Sequence, residues 1–381
     1  MRLLLDSVPV GSPGGLRLRD EIAGALVTTC PAGDEIVLAS VDSSTTPALH
    51  TIRCSSIGTR WDRRAWWYGV QLPRLLRERR ADAVYSLGGI VSRQMHAQAA
   101  TIVSINNMVP FTPELLASRP WWSRAGLRYR LLRRAYVQSA KRADAIVLHS
   151  PYALSRLAGA HPAARHKTTV VLTGVPSDLQ FDLDAPGSHP HGGRPYFFYL
   201  SALYRYKNHS RLLEAYAAAL AERPELPDLL IAGLPADASY TEEVRRQIAR
   251  LALGTRIQYL GSVERSSIPA WLHHATANVF PSTCETNSVV LAEVLGVGGA
   301  LAAANIDSIQ EVVQDAALLF DPFSVESITR SLVTLASDGA LREDLRRRAR
   351  RRAGDLSWQQ VGLEIWNAAH QARARYDLRI G

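Results

Sequence analysis

Residues 281–293 read Pro-Ser-Thr-Cys-Glu-Thr-Asn-Ser-Val-Val-Leu-Ala-Glu and carry the densest chemistry in the chain. Glu285 and Glu293 bracket seven residues, and the second half turns apolar as a helix begins. Thr286, Asn287 and Ser288 are small polar residues that form turns and cap helices, and Val289 opens the expected helix. The preceding Ala-Asn-Val-Phe-Pro (277–281) reads as a strand ending at a proline. A strand, a polar turn and a helix N-terminus together make an anion site, because the first helical N–H groups have no partner inside the helix. Glu293 is expected about two turns beyond Glu285 and on roughly the same side.

A carboxylate is a poor partner for a phosphate and a good acceptor for hydroxyl hydrogens. A phosphate at a helix N-terminus, flanked by two such acceptors, suits a nucleotide sugar: a diphosphate in the middle, a ribose on one side, a hexose on the other. Two solvated glutamates on an amphipathic helix have the same spacing, and spacing alone leaves both readings open.

The elements that must position these residues alternate along the chain. In the first half the strand-like segments are Met1–Leu5, Glu35–Val41, Ala83–Leu87, Thr101–Ile105 and Ala143–His149. Between them lie helix-like segments at Leu16–Leu26, Trp66–Arg80, Arg119–Arg142 and Pro151–Ala158, and a turn through Val8–Gly15 follows the first strand. The pattern breaks at Phe181–Pro195, which is rich in Pro and Gly and has no periodicity, as a linker has. Alternation restarts with strands at Tyr196–Leu200, Leu229–Ala232, Ile257–Leu260 and Ala277–Phe280 and helices at Arg211–Ala221, Glu242–Leu253, Ile268–His274 and from Ser288. Strands separated by helices of this length imply parallel sheets with covering helices. The expected fold is α/β: two doubly wound Rossmann-like domains whose strand ends face each other across a cleft. The expected domains are 1–180, a linker at 181–195, 196–360, and a C-terminal helix at 361–381 packing back on the first domain.

The 381 residues allow two domains at roughly 150 each. No apolar run approaches the ~18 residues of a membrane span, and Met1–Ser7 reads as a first strand, not a leader. Cys30, Cys54 and Cys284 have neither metal-ligand spacing nor the density of a disulfide scaffold, which suggests a reducing, cytoplasmic setting. No cluster of His, Cys, Asp and Glu has ligand spacing, so neither a protein-bound metal nor a cofactor is expected. Residues 1–190 carry 23 Lys+Arg against 14 Asp+Glu, and the rest of the chain is balanced. The first half therefore carries the whole basic excess, the mark of a surface that meets something anionic. The run Arg346–Arg352 reads as a solvated helical face.

With two such domains, the element from Glu285 to Glu293 resembles the E-x7-E motif of glycosyltransferase family 4, which has the GT-B fold. Four further stretches resemble family features in the same order. Gly14-Gly15 before a helix resembles the N-terminal glycine loop. Tyr199-Leu200-Ser201-Ala202-Leu203-Tyr204-Arg205-Tyr206-Lys207-Asn208 resembles the strand and basic Lys-Asn turn that open the second domain. Leu230-Ile231-Ala232-Gly233 and Arg256-Ile257-Gln258-Tyr259-Leu260-Gly261 resemble its central strands, and Ser357-Trp358 begins a C-terminal helix of the crossing kind. The resemblance covers nearly the whole chain and is densest over 196–325.

That resemblance implies an enzyme that moves a hexose from a nucleotide diphosphate sugar with retention of configuration. It implies that Glu285 contacts the donor sugar, that Glu293 holds the ribose hydroxyls, and that Arg205 and Lys207 hold the phosphates. Gly15, Thr286, Asn287, Ser288 and Val289 complete the implied donor site. Two cations at a strand end can neutralise a departing diphosphate without a metal. The chain also departs from the family pattern. Ala202 stands where many members carry Arg, and Glu285-Thr286-Asn287-Ser288 has none of the usual glycines. Asn106-Asn107 ends the first-domain strand that usually ends in a His, and Asn106 can hydrogen-bond a sugar hydroxyl but cannot shuttle a proton at neutral pH.

Residues 119–142 hold eight cations and no acid, interleaved with Trp121, Trp122, Tyr129 and Tyr136. Leu127, Leu131, Leu132, Ala135 and Tyr136 share one side of a helix, and Arg63-Arg64-Ala65-Trp66-Trp67-Tyr68 has the same character. Such a surface suits an anionic membrane; nucleic acid would also select it, but no recognition motif accompanies it. An apolar stripe packed on its own domain, with solvated Arg side chains, is the other reading. The leading expectation is a cytoplasmic transferase, peripheral at the inner face of the membrane, that acts on a lipid-linked or polysaccharide glycan, with mannose among the candidate hexoses. The alternatives are a soluble transferase acting on a small natural product and a non-catalytic sugar-binding protein of the same fold.

Overall fold

A computed structural model describes residues 1–41, 46, 49–58, 60–117, 122–176, 179, 188–286 and 288–381. The chain forms two compact units, one of Met1–Gly174 with Ser357–Gly381 and the other of Val175–Leu356.

Unit 1 is built on a seven-stranded parallel sheet in the order β3-β2-β1-β4-β5-β6-β7. Its strands are β1 (Arg2–Asp6), β2 (Glu35–Ser40), β3 (His50–Arg53), β4 (Ala83–Ser86), β5 (Ala100–Ser104), β6 (Ala145–Leu148) and β7 (Thr168–Val170). The inner strands are short apolar runs, as strands covered on both faces must be. β3 and β7 were not expected from the sequence. They are short, half-buried edge strands of mixed polarity, His-Thr-Ile-Arg and Thr-Thr-Val, and so carry no continuous apolar signal.

The helices of unit 1 are α1 (Pro13–Thr28), α2 (Trp61–Trp66), α3 (Leu72–Glu78), α4 (Arg93–Gln98), α5 (Pro113–Ala117), α6 (Arg124–Arg142) and α7 (Pro151–Ala160). The turn expected through Gly15 is shorter than its sequence suggested, since α1 begins at Pro13, with Ser12 as its cap. The helix expected at 66–80 starts earlier, and a π-turn at Trp67–Gln71 joins α2 to α3. That turn drives Trp67 and Tyr68 into the core below the sheet ends.

The last helix, Trp358–Ile380, closes unit 1 (here α15, after seven helices of unit 2). Ser357 caps it, and its buried side chains Val361, Ile365, Ala369, Ala372 and Tyr376 recur at helical spacing against the unit 1 core. Trp366 Nε1 donates to Leu26 O at 3.0 Å. Three aspartates that immediately precede strands tie the helix down: Asp34 to His370 at 2.8 Å, Asp82 to Arg373 at 3.2 Å and Asp144 to Arg379 at 3.1 Å. Because Trp358 is buried in this core, the unit boundary falls at Leu356/Ser357, ahead of the expected 360. The first boundary falls at Gly174/Val175, ahead of the expected 180, and residues 181–187 of the expected linker lie outside the described residues.

Unit 2 is a six-stranded parallel sheet in the order β10-β9-β8-β11-β12-β13. Its strands are β8 (Tyr196–Leu200), β9 (Asp228–Ala232), β10 (Ile257–Gly261), β11 (Ala277–Phe280), β12 (Leu301–Ala304) and β13 (Leu318–Phe320). Its helices are α8 (His209–Glu222), α9 (Ala238–Leu251), α10 (Ile268–His274), α11 (Val289–Gly296), α12 (Asp307–Val313), α13 (Val325–Ser337) and α14 (Gly339–Gly354). The Arg346–Arg352 run lies on α14. Arg347, Arg348, Arg350 and Arg351 pair there with Asp344, Asp315 and Glu343 at the surface, while buried Arg352 donates to Val312 O and Glu311 O.

Candidate functional site

In an open parallel sheet, ligands bind beyond the carboxyl ends of the strands where the winding direction reverses. Unit 2 winds outward from β8 through β9 to β10, then returns to the other side of β8 with β11. Its reversal point therefore lies between the loop after β8 (residues 201–208) and the loop after β11 (residues 281–288). Lys207 and Glu285 sit on these two loops and meet there. Lys207 Nζ donates to Glu285 Oε1 at 2.5 Å, with both side chains largely buried. The ammonium also lies over the rings of Tyr206 at 5.5 Å and Phe280 at 5.4 Å.

Backbone geometry explains how the loops hold this pair. Tyr206 O accepts from Thr283 N at 2.8 Å and from Thr283 Oγ1 at 3.0 Å. Tyr199 OH donates to Lys207 O at 2.8 Å, and burial raises that phenol, so it stays a donor. Behind Lys207 lies His209, fully buried against Tyr199 at 4.8 Å. Burial first, and the Lys207 charge second, push its imidazole down to about 3. It is neutral at physiological pH and places no second charge behind the lysine.

Glu285 and Glu293 are not at helical spacing, contrary to the sequence expectation. Ser288 caps α11, its Oγ accepting from Leu291 N, and the helix begins at Val289, so Glu285 belongs to the loop. Glu293 is 3% exposed on α11 and forms an ion pair with Arg265, whereas Glu285 is 8% exposed and faces Lys207. Thr286 and Val289 are half-buried at the mouth of this turn, and Asn287 lies outside the described residues.

Arg205 does not join Lys207. The two lie two residues apart on a single 3₁₀ turn, so their side chains leave in different directions. Arg205 makes a bidentate pair with Glu243 of α9, at 3.0 and 2.7 Å, and lies over Tyr240 at 5.0 Å. The second cation that the structure brings to the two glutamates is Arg265, which sequence reasoning missed. Its signal was present: it stands in a Glu-Arg-Ser-Ser turn just beyond the carboxyl end of β10.

Unit 1 reverses between β1 and β4. Asp6 and Ser86, the last residues of those strands, are fully buried and face each other there. Asp6 Oδ1 accepts from Trp67 Nε1 at 3.1 Å and from Val8 N at 3.3 Å, and Ser86 Oγ donates to Oδ2 at 3.3 Å. No ion pair to Asp6 occurs among the described residues. Burial outweighs those three donors and pushes the carboxyl up to about 7. Gly15 lies in the first turn of α1, where Ser12 Oγ accepts from its N–H at 3.2 Å; a Cβ there would crowd Ser12 and Val10 at 2.8 Å. Asn106 follows β5 half-buried, its Oδ1 accepting from Ser104 Oγ at 3.0 Å.

With this geometry in place, two family descriptions account for most of the chain. "Glycosyltransferase Family 4" matches residues 23–179, and "Glycosyl transferases group 1" matches residues 182–352. The chain belongs to glycosyltransferase family 4. Among curated proteins it is 28% identical over 176 residues to an O-antigen chain mannosyltransferase B of Escherichia coli, covering 45% of each chain. It is 24% identical over 254 residues to a D-inositol 3-phosphate glycosyltransferase of a Nocardioides strain, covering 62% of this chain and 56% of that one. These matches span about half the length of the relatives. Among solved structures, sucrose-phosphate synthase from Thermosynechococcus elongatus superposes with a TM-score of 0.79 at 17% identity, over 98% of this chain and 99% of the other. WaaG, a glycosyltransferase involved in lipopolysaccharide biosynthesis, gives 0.76 at 14% identity over 96% and 99%. These likenesses show the fold, and the family 4 chain is a GT-B protein.

Proposed function

We propose that this family 4 member transfers a hexose, with retention, from a nucleoside diphosphate sugar to a glycan acceptor held at a membrane. The observation that carries the donor half is the Lys207–Glu285 pair at the unit 2 reversal point. In this reading the Lys207 ammonium meets the departing diphosphate together with the N-terminus of α11. Glu285 accepts hydrogens from the hexose hydroxyls, and Glu293 accepts them from the ribose. The bond from the anomeric carbon to the diphosphate breaks on the face where the acceptor oxygen bonds. The acceptor's proton leaves with the released nucleoside diphosphate, and Asn106 offers an amide to a sugar hydroxyl. Lys207 and the α11 N-terminus supply the field a divalent ion would supply, so turnover is expected to persist in chelator. Mannose is the first sugar to test because the E. coli relative is named a mannosyltransferase.

The acceptor half rests on unit 1. Among the described residues no helix is long and apolar enough to cross a membrane. Instead, large apolar side chains stand out among arginines: Trp61 (82% exposed), Trp66 and Val70 on α2 and its π-turn, and Trp122 (72% exposed), Leu127 and Leu131 at α6. The stripe on α6 divides. Leu132 and Tyr136 turn to the core, while Leu127 and Leu131 face solvent with Arg128 and Arg134. Exposed Trp and Leu within a field of Arg suit an anionic bilayer surface. This supports a peripheral protein at the inner, cytoplasmic face.

A thermal-shift panel of UDP, GDP and ADP and their hexose conjugates tests the donor half, because a ligand that binds only the folded chain raises Tm. A rise with one base series is expected; no rise with any at millimolar concentration overturns it. Sedimentation with phosphatidylglycerol vesicles tests the other half. Binding that weakens with salt and with Arg128, Arg133 and Arg134 replaced by Gln is expected. A chain that ignores these vesicles at low salt is not a membrane enzyme, and a small-molecule acceptor then takes its place.

A further inference from the structure

Asn208 occupies an unusual position. It is buried, follows Lys207 directly, and holds a left-handed backbone (φ 63°, ψ 30°) at the start of α8. A left-handed asparagine usually serves its own turn. Here the side chain makes no cap to its own helix. Its Nδ2 donates to Pro281 O at 3.1 Å and to Pro322 O at 2.7 Å, and its Oδ1 accepts from Arg211 Nη1 at 2.7 Å. Arg211 Nη1 also donates to Pro322 O at 3.2 Å, which closes the network. Both amide hydrogens and the carbonyl are thus used, and a flipped amide would set oxygen against two carbonyls.

Pro281 is the first residue after β11 and begins the loop that carries Glu285. Pro322 lies just after β13. One side chain therefore joins the loops after β8, β11 and β13 along the carboxyl edge of the sheet. Neither proline carbonyl ends a regular ladder, so without the amide Pro281 O would need another donor, while Pro322 O would keep only Arg211 Nη1. Lys207 is flanked by fixed points, with its own carbonyl held by Tyr199 and the next residue held to the Glu285 loop.

We propose that Asn208 is a positioning residue that acts through Lys207: its amide fixes the Lys207 loop to the Glu285 loop, so that the ammonium is held at the place where a diphosphate is to be bound. The ligand in this inference rests on the donor reading above; the positioning itself does not.

The variant of choice is Asn208→Gly, which keeps the left-handed backbone and removes only the amide. Asn208→Asp is the second variant, since it keeps the shape and the Arg211 contact but turns an acceptor on the two carbonyls. The first measurement needs no ligand. The chain has only three lysines, Lys141, Lys167 and Lys207. Brief acetylation followed by peptide mass spectrometry therefore reads each separately. Asn208→Gly is expected to raise Lys207 labelling several-fold relative to Lys141 and Lys167, as local opening exposes an amine that the ion pair protects. The second measurement is a double-mutant cycle with Lys207→Ala, reading UDP and GDP affinity by calorimetry. Asn208→Gly alone is expected to weaken binding about tenfold, and to cost nearly nothing once Lys207 is gone, because residues that act as a unit are not additive. A merely structural role lowers Tm but leaves the two losses additive. Unchanged Lys207 labelling in both variants, or additive losses in the cycle, overturns the proposal. If the wild-type chain binds neither nucleotide, the donor reading fails instead, and the labelling alone decides the positioning role.

Discussion

The two units share one architecture and treat its reversal point in opposite ways. Unit 2 places opposite charges together at its strand ends, Lys207 against Glu285 on two facing loops and Arg265 against Glu293 of α11, with side chains that still reach solvent in part. Unit 1 places an aspartate at the corresponding strand end and seals it under Trp67, with hydroxyl, indole and amide donors but no ion pair among the described residues. The same geometric vacancy thus holds a set of charges that a ligand can exchange for its own in one unit. In the other it holds a group whose proton depends on burial. Lone carboxylates in apolar surroundings tend toward neutrality, while paired charges remain ionised and ready.

The largest effect expected from this contrast belongs to Asp6. Its folded value, about 7, is raised above the ordinary 3.8, so its contribution to stability is fully present below about pH 4 and is lost as pH rises through 7. The shift corresponds to a penalty on the order of 4 kcal/mol at pH 8. Asp6→Asn removes that titration, and the Ser86 hydroxyl can turn to accept from the new amide. Denaturant unfolding at a series of pH values is expected to show the variant gaining on the wild type from about pH 5 to about 7 and levelling off above that. A constant difference across that range would mean that Asp6 is ionised throughout, and the contrast between the units would collapse.

Next comes Lys207→Ala. If unit 2 works by charge, turnover with the donor found in the thermal panel should fall about 10²–10³-fold, while affinity for the intact nucleotide sugar falls less, because the charge on the diphosphate grows as it leaves. Equal turnover would show that Arg265 and the α11 N–H groups carry the leaving group between them. A smaller loss is expected for Glu293→Gln: about tenfold in nucleotide affinity, as a charged acceptor for hydroxyls becomes a neutral one. Calorimetry that finds no change would remove Glu293 from the donor site. The smallest effect should be that of Arg205→Ala. Its pair with Glu243 is exposed, so the loss in stability should stay below ~1 kcal/mol, with nucleotide affinity unmoved. A tenfold loss of affinity would return Arg205 to the role its sequence position suggested.

The sequence was legible wherever the signal is local. Tyr196–Leu200, Ile268–His274 and Ala277–Phe280 begin and end in the structure where their apolar runs and bounding residues implied. Doubly wound parallel sheets followed from the alternation itself, since buried strands and covering helices write their periods into consecutive residues. The edge strands β3 and β7 left no such mark, because a half-buried edge tolerates polar residues. The helix expected at 66–80 concealed a π-turn, because one extra residue in a turn changes no apolar pattern that spacing can detect.

For the candidate site, residue types, spacing and the family resemblance pointed to Lys207, Glu285 and Glu293. Only the tertiary structure decided partners. Arg205 and Arg265 are the same residue in similar turns, yet one pairs with Glu243 at the surface and the other with the buried Glu293. Lys207 meets a carboxylate 78 residues away, and Asp6 meets an indole 61 residues away. Periodicity is a property of neighbours in the chain, so the sequence carried the sheets. Charge pairing and desolvation depend on groups that only folding brings within a few ångströms, in surroundings whose dielectric only folding creates.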